Sequence, residues 1–398
     1  MSRLDELINE LCPDGVEYKC LSDIGQVKMC KRILKSQTNT DGGIPFYKIG
    51  TFGGEANAFI SEELFQEYRE KYSYPKVGEI LISAAGTIGR TVVYDGELAY
   101  YQDSNIVWLA NDESNILNTF LRYCYELKPW NISSGGTIAR LYNDNILKAK
   151  VPVPPLEVQR EIVHILDSFT LLTAELTAEL TARKKQYEFY RDKLLTSNRN
   201  IKTVKLGDVC TFVRGPFGGA LKKEIFTTEG YAVYEQQHAI YRNLDFRYHI
   251  DKNKFSELKR FAVNPGDMIV SCSGTIGKTF VIPKNAPEGV INQALLKLTP
   301  NEELNVFYLQ YFFENTISKV LNGVARGGAI KNVPSVSELK LIELPLPSLS
   351  VQKKLVNVLD NFEAICTDLN IGLPAEIEAR QKQYEYYRDK LLSFKELS

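Results

Sequence analysis

The string SCSGTIGKTFVI, residues 271–282, ends like a loop that cradles nucleotide phosphates. Such a loop needs G-x-x-x-x-G-K-[ST]. Counting back five from Gly277 gives Cys272, so the first glycine is missing. Without it the backbone cannot turn tightly enough for its N–H groups to converge on phosphate. The string also recurs as SAAGTIGRTVVY, residues 83–94, with Arg90 in place of Lys278. The expectation is a repeated tight strand connection rather than a nucleotide site, with Arg90 and Lys278 placed behind it to meet phosphate. Other chemistry is equally sparse. The three histidines, His164, His238 and His249, lack metal-ligand spacing. No [DNS]-P-P-[YF] tetrapeptide or F-x-G-x-G loop of an amino-methyltransferase is present. Seven scattered cysteines, never spaced C-x-x-C, read as reduced thiols in a cytoplasmic protein. No catalytic residue and no metal site is expected.

Composition sets the bounds. The chain has 398 residues, 44% hydrophobic and 24% charged, enough for two or three domains with real cores. Its start, MSRLDELINELCPDG, is polar and acidic and reads as neither signal nor transit peptide. No apolar run approaches membrane-spanning length. A net charge of −1 argues against coating nucleic acid by charge alone.

The elements that position these loops are duplicated. KQYEFYRDKLL at 185–195 matches KQYEYYRDKLL at 382–392 in ten of eleven positions. PVPPLEVQREIVHILDSF at 152–169 matches PLPSLSVQKKLVNVLDNF at 345–362, and VGEILISAAGTIGRT at 77–91 matches PGDMIVSCSGTIGKT at 265–279. The order is the same in both halves. Each half opens with short β-type runs broken by Gly, Pro and Asn. A proline-marked stop follows, then helix.

The helical stretches carry a coiled-coil spacing. In the first the seam runs through Val158, Ile162, Ile165, Phe169, Leu172, Leu176 and Leu180 to Tyr187, Tyr190 and Leu194. In the second it runs through Val351, Leu355, Val358, Phe362, Ile365 and Leu369, then Ile377, Tyr384, Tyr387 and Leu391. Gly372 and Pro374 predict an interruption in the second only. The fold class expected is α+β: two β-rich mixed domains separated by two long antiparallel helices, as a pseudo-two-fold repeat. The divisions are 1–150, 151–200, 201–343 and 344–398. A helix of about 40 residues would span roughly 60 Å, which predicts a dumbbell with inverted heads.

This layout, with PxPPLxxQ opening and KQYExYRDKLL closing each helical stretch, resembles the specificity subunit of type I restriction–modification systems, over essentially the whole chain. The resemblance implies two target-recognition domains, each binding one half of a bipartite site on double-stranded DNA. It implies helices that separate them and dock two methyltransferase subunits, with restriction subunits joining in the full nuclease. Adenine methylation from S-adenosylmethionine and ATP/Mg-driven cleavage would then reside in those partners, and this chain would bind no cofactor. A protein–protein adaptor without DNA specificity is the alternative. Divergence between VKMCKRILKSQTN (27–39) and FVRGPFGGALKKE (212–224) in otherwise matched halves speaks against it.

Residues 16–150 carry 15 Lys/Arg against 16 Asp/Glu, and residues 203–343 carry 17 against 14. Neither is strongly basic, so DNA contacts are expected at local clusters. In the first half these are Lys28, Lys31, Arg32 and Lys35, with Arg90 and Arg140 after glycine-containing loops. In the second they are Arg214, Lys222, Lys223, Arg242, Lys278, Arg326 and Lys331. Gln236, Gln237 and Asn332 are possible base readers. A shared partner surface is expected at Tyr187, Phe189, Tyr190 and Arg191 and at Tyr384, Tyr386, Tyr387 and Arg388. Finally TAELTAEL, residues 173–180, reads as a helical gauge of half-site spacing.

Overall fold

The computed structural model describes residues 3–131, 140–196, 201–217, 219–273, 275–324 (318–324 by backbone only) and 334–397. They form two compact units, Met1–Thr177 with Glu376–Ser398, and Ala178–Ala375. This division cuts across both helical stretches, so each unit holds one β-rich head and part of each stretch.

In chain order the first half contains α1 (Arg3–Leu11), β1 (Glu17–Cys20), α2 (Leu21–Ile24), β2 (Gln26–Lys28), β3 (Ile44–Tyr47), β4 (Phe59–Ile60), α3 (Glu62–Lys71), β5 (Ile80–Ser83), β6 (Thr91–Val93), β7 (Tyr100–Tyr101), β8 (Ile106–Ala110), α4 (Asn118–Glu126), α5 (Asn143–Leu147), β9 (Lys150–Val153) and α6 (Leu156–Leu195). The second half contains β10 (Thr203–Lys205), α7 (Leu206–Val209), β11 (Cys210–Arg214), β12 (Tyr231–Tyr234), α8 (Gln236–Tyr241), β13 (His249–Ile250), α9 (Lys252–Glu257), β14 (Met268–Ser271), β15 (Thr279–Val281), β16 (Gly289–Ile291), β17 (Leu295–Pro300), α10 (Val306–Val324), α11 (Val336–Lys340), β18 (Glu343–Pro345), α12 (Leu349–Thr367) and α13 (Leu373–Leu391).

The duplication holds strand for strand. In the first unit the sheets are β1-β9, β2-β8-β5-β6 and β4-β3-β7; in the second they are β10-β18, β11-β17-β14-β15 and β13-β12-β16. Both three-stranded sheets contain one parallel pair, β3 with β7 and β12 with β16. The central strands ILIS and MIVS are buried at every position, as expected of runs covered on both faces.

Each head is closed by helices in the same way. In the first unit Val158, Ile162 and Leu166 of α6 share a core with Leu392, just past α13. In the second, Leu195 of α6 shares a core with Val356 and Leu359 of α12. The helices are antiparallel within each unit. Phe169 stacks on Tyr387 at 5.5 Å while Lys150 meets Glu396; Tyr190 meets Phe362 at 6.3 Å while Lys202 bonds Leu346.

The first unit is completed by the far end of the chain. Val16 and Glu396 form a parallel bridge, and Gly15 lies against the Lys395 carbonyl so closely that a Cβ would sit 2.3 Å from it. Its φ of +120° adds a second reason for glycine.

α6 is continuous, and α12 and α13 are separated at 368–372 with Pro374 in the first turn of α13. The seam expected on α12 is displaced in part, with Leu355 and Phe362 half-buried as expected. Val351, Val358, Ile365 and Leu369 are exposed, whereas Gln352, Val356, Leu359 and Cys366 are buried. The inward face is set by the head beneath α12 as well as by the neighbouring helix, and the head takes the positions one residue on.

Candidate nucleic-acid interface

The turns that follow β5 and β14 are closed by serine. Ser83 Oγ accepts from Arg90 N (2.9 Å) and donates to Thr87 O (2.5 Å); Ser271 Oγ accepts from Lys278 N (3.0 Å) and donates to Thr275 O (2.6 Å). Gly89 has φ +76° and abuts the Trp130 ring, so a side chain has neither the backbone nor the space there. This geometry joins β5 to β6 and β14 to β15. Arg90 spends one Nη on the Phe52 carbonyl at 2.7 Å.

A cleft of about 380 Å³ opens in the first unit. Its lining brings together segments far apart in sequence: Arg32 and Lys35 from the loop after β2, Lys48 after β3, Gln102–Asn105 between β7 and β8, and Arg140. Four cations face one carboxylate, Asp103. Arg140 Nη2 donates to the Ser104 carbonyl at 2.7 Å, and Arg32 Nε donates to Asp103 Oδ2 at 2.8 Å. Lys28 and Lys31 are exposed nearby but are not among the lining residues, and Lys31 lies 5.0 Å over the Tyr72 ring. Sequence reasoning missed Lys48, Gln102, Asp103 and Asn105. The signal available was QDSN, four polar residues set between the buried runs YY and IVWL.

In the second unit Lys222 and Lys223 are exposed. Lys223 opens a 3-10 turn, Lys223–Ile225, just as Lys35 opens Lys35–Gln37. The two loops therefore occupy equivalent places, yet they differ in sequence. The turn matching Gln102–Asn105 is Asn292–Ala294, one residue shorter and without a carboxylate. The match follows from Ala84 N bonding Asn105 O and Cys272 N bonding Ala294 O. Arg214 is exposed at the end of β11.

Arg242 is committed elsewhere: its Nη2 meets both oxygens of Glu314 at 3.1 Å, and it sits at φ +52°. Lys278 lines a smaller cleft of about 220 Å³ with Tyr187, Arg191, Glu314 and Glu363. Arg326, Lys331 and Asn332 lie outside the described residues. Gln236 Oε1 accepts from Ser273 Oγ at 2.9 Å, and Gln237 Nε2 donates to Asp245 O at 3.3 Å.

His238 is buried; its Nδ1 accepts from Glu235 N at 2.8 Å and its Nε2 lies 3.1 Å from the Asp245 carbonyl. Burial pushes its pKa below the ordinary value against the pull of these carbonyls. His164 is exposed. Among the described residues no group of three His, Cys, Asp or Glu could hold a metal, and no helix is long and apolar enough to cross a membrane. All seven cysteines are free thiols.

The two KQYExYRDKLL segments repeat in three dimensions. Tyr384 donates to Glu126 Oε2 at 2.5 Å and Arg388 covers its ring; Tyr187 is half-buried under Arg191. Tyr190 and Tyr387 contact the matching rings Phe362 and Phe169. Phe189 and Tyr386 are different, each 62% exposed.

The family model for the type I restriction modification DNA specificity domain matches twice, over residues 13–183 and 198–379. The chain belongs to that family. Both repeats are therefore DNA specificity domains, and sequence recognition on DNA is the role they give the chain. The specificity subunit of the Escherichia coli type I restriction enzyme EcoR124I/EcoR124II is 30% identical over 71% of this chain and 72% of its own length. A putative type I restriction enzyme specificity subunit of Haemophilus influenzae is 59% identical, over 44% of this chain and 46% of that relative, so less than half of its length is matched. The specificity fold is also seen in solved structures. A chain from a study of complex assembly in a type I restriction–modification system covers 96% of this chain and 98% of its own, with a TM-score of 0.63 at 15% identity. The HsdS subunit from Thermoanaerobacter tengcongensis covers 96% and 97%, with a TM-score of 0.56 at 16% identity.

Proposed function

We propose that this specificity chain reads a bipartite, asymmetric DNA site, one half-site per unit, and catalyses nothing itself. Adenine methylation from S-adenosylmethionine belongs to two methyltransferase subunits, and ATP/Mg-dependent cleavage to restriction subunits, in a cytoplasmic complex. The helices docked on the two units carry those methyltransferases, with Phe189 and Tyr386 as the exposed rings of matching surfaces. The observation that supports this reading is the contrast between scaffold and loops. The strand pairing is identical in the two units, while the cation-bearing loops at Arg32–Lys35 and Lys222–Lys223 differ, as do the turns at Gln102–Asn105 and Asn292–Ala294. A kept scaffold with divergent reading loops is what two unlike half-sites require.

The test is to co-express the chain with a methyltransferase subunit of its host and map methylated adenines across the genome. The expected product is one motif with two unlike half-sites and a fixed spacer. A palindromic motif, or methylation that persists without this chain, overturns the reading.

A further inference from the structure

The cleft of the first unit has a lining that phosphate binding alone does not account for. Asp103 lines it with its side chain 16% exposed. A carboxylate there repels a phosphodiester, whereas base edges offer donors and acceptors together and tolerate a mixed lining. Asp103 also has a specific task. It accepts from Arg32 Nε at 2.8 Å and so fixes the plane of a guanidinium that remains 67% exposed. Among the described residues no group is bonded to the two Nη atoms of Arg32. With Nε taken, the end-on pair of Nη donors is the fork that remains, and that pair matches O6 and N7 of guanine.

The turn that presents Asp103 is itself held in an unusual state. Ser104 has φ +59°, a left-handed conformation uncommon outside glycine, and its Oγ lies 3.3 Å from Asp103 Oδ2. Gln102 is fixed in turn, its Oε1 accepting from Ile49 N at 2.9 Å. The carboxylate that aims Arg32 is thus built into the fold, not left on a free loop.

We infer that Arg32, aimed by Asp103, reads a guanine in the half-site of the first unit, while Lys48 and Lys35 neutralise flanking phosphates. This rests on the reading above that each unit recognises its own half-site. Asp103 is a positioning residue: it acts on DNA through Arg32.

The experiment compares methylated-adenine maps from the co-expressed complex carrying the wild-type chain, R32A, R32K, D103N or K48Q. A wild-type map without a bipartite motif defeats the general reading and is distinct from every outcome below. With R32A, one guanine of one half-site becomes degenerate, the other half-site and the spacer are unchanged, and discrimination at that base falls about 5- to 150-fold. R32K keeps the charge but not the fork, and relaxes the same base. D103N relaxes that base in part. K48Q lowers modification of all sites alike, makes its loss with salt shallower and leaves the motif intact. Uniform loss in R32A with the motif intact would make Arg32 a phosphate contact and overturn the inference. So would an unchanged map in R32A, or methylation abolished in R32A and R32K alike.

Discussion

Gln159 and Gln352 show how much one side chain does here. Each is fully buried, and each satisfies three backbone groups at the junction of head and helix. Gln159 Oε1 accepts from Leu117 N, and its Nε2 donates to the Asn115 and Pro154 carbonyls; Gln352 does the same for Asn305 N, Glu303 O and Pro347 O. The motif PxPxLxxQ announced these glutamines in sequence, but not their purpose, because two of the three groups that each one bonds lie about 40 to 50 residues earlier. Replacing either with leucine strands buried polar groups at about 1–3 kcal/mol each. Q159L and Q352L are therefore each expected to lower unfolding free energy by about 3 kcal/mol, read as a drop in urea midpoint at constant slope. A change under about 0.5 kcal/mol would mean that water replaces the amide. Arg242 teaches the reverse lesson. It looked free in the sequence, and its partner Glu314 stands 72 residues away.

At the scale of elements, the helix boundaries, the interruption at Gly372–Pro374 and the strands ILIS and MIVS were legible, because capping, proline and apolar runs act locally. Sheet order was not, since pairing partners such as β2 and β8 meet only through the whole head. The face of α12 was misjudged for the same reason: heptad spacing records a helix neighbour and says nothing of a head beneath. The off-seam placing of Phe189 and Tyr386 was legible, and their equal exposure makes them the testable part of the proposed docking segments. Neither ring is buried, so F189A and Y386A are expected to leave thermal stability within about 0.5 kcal/mol. Each should weaken capture of one co-expressed methyltransferase subunit, and the double variant should lose both, measured by the subunit ratio after affinity purification and sizing. An unchanged ratio in the double variant places the docking surface elsewhere.

For the whole molecule, the order of segments is circular. The segment KQYEFYRDKLL leads into the head of the second unit, and the first head is joined by KQYEYYRDKLL from the opposite end of the chain, through the bridge of Val16 to Glu396. Each unit is thus the same assembly of KQYExYRDKLL segment, head and PxPxLxxQ helix. This was hidden in the sequence because its two parts are the most distant in the chain. The two units divide at Thr177/Ala178, inside TAELTAEL, within one continuous helix. That position is where a gauge of half-site spacing, as expected from the sequence, would lie. One further TAEL adds about 6 Å of helix and turns it by about 400°, some 40° beyond a full revolution. Duplex DNA advances about 3.4 Å per base pair. The loops proposed to read bases are untouched by such an insertion, and the repeat is nowhere fully buried, so a longer copy would expose little. A chain carrying a third TAEL after Leu180 is therefore expected to methylate a motif with both half-sites unchanged and a spacer one or two base pairs longer. The methylated-adenine map decides it: an unaltered spacer would show that bending of the helix or of the DNA absorbs the added turn, and the gauge would have to lie outside this repeat.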